Sequence, residues 1–520
     1  MNRVPAVARL VAGAVLCAVL TLAGSTATVQ AAGAHRVAAP TGSAIARHVV
    51  IVGISGLTWS GISAAATPEL WRLAEAGSAG SLVDYAEQPL ACPADGWLTL
   101  NSAARAQGPR PCDSLPAVVA TGSGAIVPAM PQLVQANRPY FESPDWGLLG
   151  RLAGCSTAAG PGAALALASP AGTVSAYLPS PAGLSPSVLA RCPLTVIDLG
   201  QLGGSERGQL SAVDHQLTRI AAELPSGTLL LVTAPGAAAT ERAPHLMAAL
   251  VTGPGFASGL LDSSSTRQPG IVTLTDLTPT VAGWLGQQVP AGTAGARITR
   301  SDRGALAPVV AAFNRRDTAE QVWISAHGWF FAGYGAAAAL AFGLPVLLLP
   351  GRDRRRRQQR ARCWRVAGVA AAAVPLGSYL ANLTQWGGFA HPAWWLYGLT
   401  AAWTLVVTAA ALAGPWRRDP LGPFGAVCTA TLLLLATDVM SGSRLQLDAP
   451  FGLSLLVSGR YYGIGNTALG IYCVSTLIAA GWLAGPHPHA PHTPHTPHTY
   501  TYTSSRAALL NLFSLFSARE

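Results

Sequence analysis

The chain lacks lysine: all 33 basic residues among its 520 are arginine. Together with the abundance of Ala, Gly and Pro, this indicates the coding bias of a GC-rich genome and not a functional choice. Charged residues are also scarce, at 11%, where a soluble globular protein carries about 25%. Residues 328–484 are nearly charge-free apart from a few arginine clusters. This depletion argues against a wholly soluble protein.

A nucleic-acid partner is not expected, despite a formal net charge of +10. Eight arginines lie between Arg352 and Arg365, and this segment separates two apolar runs. Basic residues in such a position typically mark the cytoplasmic side of a membrane protein. We therefore assign them to membrane topology.

Residues 1–32 have the parts of an export signal. Arg3 and Arg9 supply a positive start, Leu10 to Leu22 form an apolar stretch, and small residues around Val29-Gln30-Ala31 offer a cleavage site. The sequence predicts a cleaved signal peptide, with an uncleaved N-terminal anchor as the alternative.

Alternating short apolar runs and helix-like stretches begin near residue 45. The run Val49 to Ile54 is typical of a buried strand. Thr67-Pro68 predicts a helix start and Gly77 its end. The pattern predicts an α/β fold, with a mostly parallel sheet and helices on both faces. Further strands are expected at Leu194 to Leu199, Thr228 to Thr233 and Ala248 to Thr252, and a further helix at Asp214 to Leu224.

Five apolar segments follow, each near the roughly 20 residues needed to cross a bilayer. Arg352 to Arg365 follow the first and Arg417-Arg418 the third, which places both loops in the cytoplasm. The large domain is then extracytoplasmic and the C-terminus cytoplasmic, in a multi-pass protein of the cell membrane. The segments are 328–349, 366–383, 393–413, 421–440 and 463–484.

The last part of the chain is low in complexity, because residues 486–500 repeat Pro-His-Thr units. The abrupt change suggests an altered reading frame or a truncated gene, a hypothesis that resequencing the 3′ end would test. The expected organisation is a signal peptide or anchor (1–32), a linker (33–44), an extracytoplasmic domain (45–312), a connector (313–327), a membrane region of about five helices (328–484) and the tail (485–520).

Four of the eight cysteines fall in the predicted extracytoplasmic domain. An even number in an oxidising compartment indicates two disulfides, for which three connectivities are possible. Nearest-neighbour pairing predicts Cys92 with Cys112 and Cys155 with Cys192. The spacing does not fit zinc, because the chain has no C-x-x-C motif.

Over roughly residues 48–290, the domain resembles the alkaline phosphatase-like superfamily, which includes phosphodiesterases and sulfatases. The resemblance implies the same α/β scaffold for this domain. It rests on four landmarks: VVIVGISGL (Val49–Leu57) with TPELWRLAEAGSAG (Thr67–Gly80); ACPADGWLTL (Ala91–Leu100); VDHQLTRIAAELPSGTLLLVTAPG (Val213–Gly236); and ALVTGPGF (Ala249–Phe256) with VTLTDLTPTVAGWLG (Val272–Gly286).

Active members of this superfamily hold two metal ions with Asp and His residues around a Ser, Thr or Cys nucleophile. Where they carry an Asp at the end of the first strand, this chain has Ser55. Where they carry an Asp-His pair, it has Ala234-Pro235-Gly236. These residues cannot replace the missing ligands, so the resemblance implies a scaffold without bound metal and without metal-dependent hydrolysis.

The nucleophile position is open between Cys92 and Thr99, although a disulfide is the simpler role for the cysteine. His245 stands near the place of a terminal metal ligand, but one imidazole cannot hold an ion alone. The positional candidates for catalysis are therefore Ser55, Cys92, Thr99 and His245, with no cofactor predicted.

The stretch GRYYGIGN (Gly459–Asn466) is the most unusual in the membrane half. One interpretation is interfacial anchoring by Arg460 and the two tyrosines. The other is a contact site for an anionic lipid or a glycan phosphate, with Arg460 as the charge and Asn466 as a polar contact.

Three functions remain open. The leading one is a non-catalytic envelope protein whose domain binds a partner protein or an envelope polymer. The second is a metal-dependent phosphodiesterase or phosphotransferase acting on envelope glycolipids, and the third is a transporter or assembly component. All three have membrane lipids as partners.

Overall fold

The computed structural model describes residues 46–112, 114–138, 144–203, 206–350, 353–457 and 459–484. The predicted signal peptide, linker and C-terminal tail lie outside these ranges. The strands are β1 (Val49–Ser55), β2 (Ser78–Val83), β3 (Val119–Thr121), β4 (Gly124–Ile126), β5 (Ser156–Ala159), β6 (Thr173–Val174), β7 (Ala176–Leu178), β8 (Leu194–Gln201), β9 (Leu229–Thr233), β10 (Met247–Thr252), β11 (Gly259–Asp262), β12 (Ile271–Thr273) and β13 (Thr299–Ser301).

Helices alternate with the strands of the first half and make up most of the second half. They are α1 (Pro68–Ala76), α2 (Pro93–Ser102), α3 (Met130–Ala136), α4 (Leu148–Ala153), α5 (Pro161–Leu167), α6 (Pro186–Leu189), α7 (Glu206–Glu223), α8 (Leu274–Trp284), α9 (Leu306–Leu348), α10 (Arg354–Ala381), α11 (Pro392–Ala413), α12 (Gly422–Met440) and α13 (Asn466–Leu483).

The main sheet has the strand order β13-β11-β2-β10-β9-β1-β8-β5-β7, and β12 also pairs with β2. β1 is parallel to both neighbours, with Val49 opposite Leu194 on one side and Leu229 on the other. β10 is antiparallel to β9 and to β2. The sheet is mixed and mostly parallel, which confirms the predicted α/β class.

Every residue of β1 is buried. A strand covered on both faces needs apolar side chains on both, which explains the continuous run that predicted it. Helix α1 packs against α7 and β10, while α2 packs against α5 and α8. Asp214 of α7 accepts hydrogen bonds from the backbone amides of Glu69 and Leu70 at 3.1 and 2.8 Å, and so satisfies the first turn of α1.

Helix α9 runs without interruption for 43 residues, where the sequence suggested a domain end, a connector and a first membrane segment. Its first turns bury Leu306, Val310 and Phe313 in the core of the α/β domain. No proline occurs between Pro308 and Pro345, so nothing breaks the helical hydrogen bonding between domain and membrane segment.

Among the described residues, five helices, α9 to α13, are long and apolar enough to cross a membrane. Large apolar side chains on them, including Trp329, Leu347 and Leu405, are exposed. Exposed apolar surface of this extent is typical of helices that face lipid. The chain is therefore a membrane protein, as the apolar segments predicted.

Residues 441–465, between α12 and α13, form what we call the junction loop. Its side chains Leu447, Leu453 and Leu455 pack in one apolar cluster with Val83 and Leu246 of the α/β domain. The membrane half and the α/β domain therefore share a buried contact.

Candidate functional site

The candidate site lies at one edge of the main sheet. β1, β5, β8 and β9 are parallel, and β2 runs in the same direction because both β2 and β9 are antiparallel to β10. Their carboxyl ends therefore meet at one edge, which is where ligands bind in open α/β sheets. Ser55 ends β1 at this edge, and Asp84 follows β2 there.

A cavity of about 550 Å³ opens at the ends of β1, β5 and β8. This volume suits a small ligand or a short segment of a polymer. Ser55, a positional candidate from the family resemblance, lies in its wall. The lining residues are Ser55, Pro93, Cys112, Ser114, Leu115, Pro116, Ala117, Val118, Gly160, Pro161, Tyr177, Pro179, Ser180, Pro181, Asp198, Gly200 and Gln201.

Asp198 is the acid of this cavity, and the sequence analysis missed it. Its carboxylate accepts hydrogen bonds from the backbone amides of Gly162 and Gly200, each at 2.8 Å. Burial raises the pKa of Asp198, against the lowering effect of these two bonds. The pKa of Tyr177 is raised by burial and then by the charge of Asp198, and both residues line the cavity. The sequence feature that could have identified Asp198 is a single Asp within the apolar run of β8.

Cys92 is the N-cap residue of α2 and forms a disulfide with Cys112, with a Cα–Cα distance of 5.1 Å. The predicted pairing is confirmed, as is that of Cys155 with Cys192. Asp95 reinforces the same turn, because it accepts bonds from the backbone amide of Cys92 and from Arg110. A cysteine held in a disulfide carries no thiolate for nucleophilic attack.

Thr99 lies inside α2 and is fully buried. Its hydroxyl donates to the carbonyl of Asp95 at 2.8 Å and accepts from the backbone amide of Ala106 at 3.2 Å. The hydroxyl therefore has two backbone partners, and Thr99 is not a lining residue of the cavity.

The segment Ala234-Pro235-Gly236 lies directly against the start of α2. A Cβ atom added to Gly96 would lie 1.0 Å from the carbonyl oxygen of Pro235, and one added to Gly236 would lie 2.6 Å from that of Cys92. Such distances are far inside van der Waals contact. An imidazole at position 236 would require α2 to move.

His245 joins the α/β domain to α9. Its Nδ1 lies 3.0 Å from Asp317, and the backbone amide of Leu246 donates to the same carboxylate at 2.8 Å. The hydrogen bond to Asp317 is the main cause that raises the pKa of His245. The imidazole therefore has a structural partner. That partner is 72 residues away in the chain, so the sequence alone did not reveal it.

Asp84 is the second acid that sequence reasoning missed. It is fully buried, and neither carboxyl oxygen has a hydrogen-bond partner on another of the described residues. Burial raises its pKa well above the ordinary value, and the charge of Glu241 adds to this effect. An Asp directly after the apolar end of β2 was its only sequence signal.

No three His, Cys, Asp or Glu side chains are grouped to hold a metal ion within the part of the chain that the structure describes. Ser55 and His245, both suggested by the resemblance, lie at the same edge of the sheet but have different neighbours. Ser55 lines the cavity, whereas the His245 ring lies 3.0 Å from Asp317 of α9. The expectation that the chain binds no metal stays a prediction.

Buried acids of the membrane half hold the junction loop. Asp438 of α12 accepts from the amide of Leu445 at 2.8 Å and from Gln446 Nε2 at 3.1 Å. Glu320 of α9 accepts from Ser454 Oγ at 2.5 Å and from the amide of Leu455 at 2.6 Å. These acids therefore have structural partners in the junction loop.

The predicted lipid or anion contacts lie at the end of the junction loop. Arg460 is exposed, and its Nη1 donates to the carbonyl of Ile464 at 3.0 Å. Asn466 is exposed and begins α13.

Fold and apolar helices together define a membrane protein that carries an α/β domain. Comparison with protein-family models and with curated proteins finds no match. Among solved structures, the chain is similar to murine ectonucleotide pyrophosphatase/phosphodiesterase 5, with a TM-score of 0.24 and 16% identity. The similarity covers 36% of this chain and 56% of that one. An inactive variant of the murine protein in complex with AMP gives a TM-score of 0.23 over the same shares. Similarity this weak carries no argument about function.

Proposed function

We propose that the chain is a membrane-anchored, non-hydrolytic binding protein of the cell envelope. Its cavity takes a neutral, hydroxyl-rich segment of an envelope polymer. The observation that carries the proposal is the chemistry of the cavity wall. Among the described lining residues the only charge is the carboxylate of Asp198, and none is basic.

The same wall argues against phosphoryl transfer. That reaction places negative charge on the transferring oxygens, and proteins stabilise this charge with metal ions, Arg or Lys. Here the nearest charged group is Asp198, which would repel a phosphodiester. The disulfide of Cys92 and the crowding at Gly236 are further support.

A hydroxyl-rich ligand fits the groups that are present. Asp198 and Gln201 can accept hydrogen bonds from sugar hydroxyls, and Ser180 can donate or accept. Tyr177 offers an aromatic face beside Asp198. Prolines supply much of the remaining wall, and their fixed φ keeps the cavity preformed.

The test is binding by the purified full chain in a neutral detergent. A panel of neutral oligosaccharides of about three to six sugars, a size that suits the cavity, would be titrated by calorimetry, with a glycerol-phosphate oligomer as the anionic comparator. We expect a neutral member to bind and the anionic oligomer not to bind. Asp198→Asn and Tyr177→Ala should each weaken that binding at least tenfold, whereas Asp302→Asn, at an exposed carboxylate, should leave it unchanged.

Preferential binding of the anionic oligomer, or full affinity in the Asp198→Asn variant, would contradict the proposal. The phosphodiesterase alternative keeps one supporting observation, the unpartnered carboxyl of Asp84 at the same edge. A chromogenic phosphodiester with excess Zn²⁺ or Mn²⁺ tests it. Turnover that a chelator abolishes would establish the enzyme and end the non-hydrolytic interpretation.

A further inference from the structure

Arginine and tyrosine side chains from three separate segments meet at the end of the junction loop. The guanidinium of Arg105 lies over the ring of Tyr85, 4.5 Å from its centroid. The guanidinium of Arg267 lies over the ring of Tyr462 at 4.2 Å. We call Arg105, Arg267 and Arg460 the arginine cluster.

Four consecutive loop residues bring these arginines together. Burial raises the pKa of Tyr461, and the charge of Arg105 opposes this with a smaller lowering effect. The Nη1 atom of Arg105 lies 3.7 Å from the place of a Cβ on Gly459. Arg105 therefore lies beside the chain neighbours of Arg460. Arg267 contacts the next residue, Tyr462, so all three arginines adjoin residues 459–462.

The loop that carries the cluster is held in place. Tyr461 is buried, and its carbonyl accepts a hydrogen bond from Gln268 Nε2 at 3.0 Å. The same amide donates to the carbonyl of Gly442 at 3.0 Å. The backbone of Arg267, beside this glutamine, is in the left-handed region with φ +52°, a conformation that a non-glycine residue keeps only where its surroundings require it.

The charged ends of the cluster reach the surface. Arg267 and Arg460 are exposed, and Tyr462 is 37% exposed. Stacking uses the face of a guanidinium, whereas a phosphate binds along its edge. An arginine stacked on tyrosine can therefore still bind a phosphate group.

The position of the loop indicates which phosphate-containing ligand lies near it. It connects α12, which ends at Met440, to α13, which begins at Asn466, and both helices are candidate membrane spans. A loop between two spans lies at one membrane surface, where lipid headgroups are concentrated and where Tyr is enriched.

We infer that the arginine cluster binds the phosphate headgroup of an anionic lipid. This site is separate from the cavity of the proposed function, and it takes an anionic ligand where the cavity takes a neutral one. The exposed guanidinium groups of Arg267 and Arg460 supply the positive charge, and each can bind two phosphate oxygens along one edge.

The experiment uses the full chain in nanodiscs of phosphatidylcholine that contain a few per cent of phosphatidylglycerol. Bound lipid is counted by native mass spectrometry after release into detergent. We expect retention of phosphatidylglycerol over phosphatidylcholine. Arg460→Ala and Arg267→Ala should each reduce this retention about five- to tenfold. Arg219→Ala removes an exposed arginine of α7 and is the matched control, with no change expected.

Arg460→Lys separates bidentate binding from simple charge, and we expect it to retain phosphatidylglycerol more weakly than the parent chain. Melting temperatures of all variants identify any that fail to fold, and Arg267→Lys replaces a misfolded Arg267→Ala. Unchanged retention in folded Arg460→Ala and Arg267→Ala variants would overturn the inference. So would equal retention of the two lipids, or displacement of the lipid by millimolar glycerol phosphate, which would indicate a site for soluble phosphate.

Discussion

The cavity and the arginine cluster lie at the same carboxyl edge of one sheet, but they have opposite charge. In the cavity, Asp198 belongs to strand β8 and is buried among prolines. In the cluster, Arg105, Arg267 and Arg460 all lie in loops beside the membrane half. One edge of a fold can therefore present two surfaces with different ligand preferences.

The two regions also differ in how they are stabilised. The cavity side depends on close backbone packing, in which α2 touches the segment after β9 at Gly96 and Gly236. The junction side depends on hydrogen bonds from side chains, chiefly those of Glu320 and Gln268. Substitutions should therefore affect the two regions through different physical causes.

Gly96→Ala should have the largest effect on stability, and it should destabilise the packing on the cavity side. The added methyl group would meet the carbonyl oxygen of Pro235 at 1.0 Å, so α2 must shift away from the sheet. We expect a loss of about 3 kcal/mol or more in the free energy of unfolding. Thermal unfolding in detergent measures it. Gly208→Ala is the control, because nothing lies within 4 Å of its Cβ position in α7, and it should stabilise the helix slightly.

Glu320→Ala should have the next largest effect and should act on the junction side. It leaves Ser454 Oγ and the amide of Leu455 without their acceptor, at a cost of about 2 kcal/mol. Faster hydrogen exchange should appear in residues 441–465 and not around the cavity. Glu320→Gln keeps an acceptor oxygen and should exchange more slowly than the alanine variant. Uniformly faster exchange over the whole domain would contradict the distinction between the two regions.

Asp84→Asn should change stability in a pH-dependent way. The folded state raises the pKa of Asp84 above its unfolded value of about 3.9, so the folded protein holds this proton to higher pH. Its contribution is full below about pH 4 and is lost as the pH rises through the folded pKa. The variant should therefore be more stable than the parent by about 1–2 kcal/mol at pH 8, with less difference at pH 5. Equal differences at both pH values would show that the carboxyl is not held protonated.

Asp317→Asn should have the smallest effect. The partner carboxylate raises the pKa of His245, so the ion pair stabilises fully below about pH 6.5 and is lost as the pH rises through the folded pKa. Both side chains are partly exposed, and we expect a loss of about 0.5 kcal/mol at pH 6. The loss should shrink at pH 9, as melting temperatures at the two pH values would show. Asp302→Asn, in a more exposed ion pair, should show no comparable pH dependence.

Local patterns predicted the elements that local forces determine. The apolar run at Val49 predicted β1, and Thr67-Pro68 predicted the start of α1, since a strand core and a helix start are coded by adjacent residues. Nearest-neighbour pairing predicted both disulfides. The helix predicted at Asp214 to Leu224 begins earlier, at Glu206. Its first residues are mostly polar and so lack the helical repeat of apolar residues on which the prediction depended.

The site could be predicted only in part, for a different reason. The resemblance named Ser55 as a positional candidate, and Ser55 lines the cavity, but neither Asp84 nor Asp198 was named. The partner of His245, Asp317, is 72 residues away. Contacts over such distances depend on the order of strands in the sheet, which a single sequence does not reveal.

The amino-acid sequence alone determined most strand and helix types and the presence of membrane helices, because each follows from composition or spacing within a short stretch of chain. It left three disulfide connectivities open, and the structure selected the nearest-neighbour one. Only the tertiary structure decided what each polar group does. Burial and partners govern the charge of Asp84 and Asp198, and packing of the junction loop on the α/β domain brings the arginine cluster together. These properties depend on neighbours that are distant along the chain, and folding alone makes them adjacent.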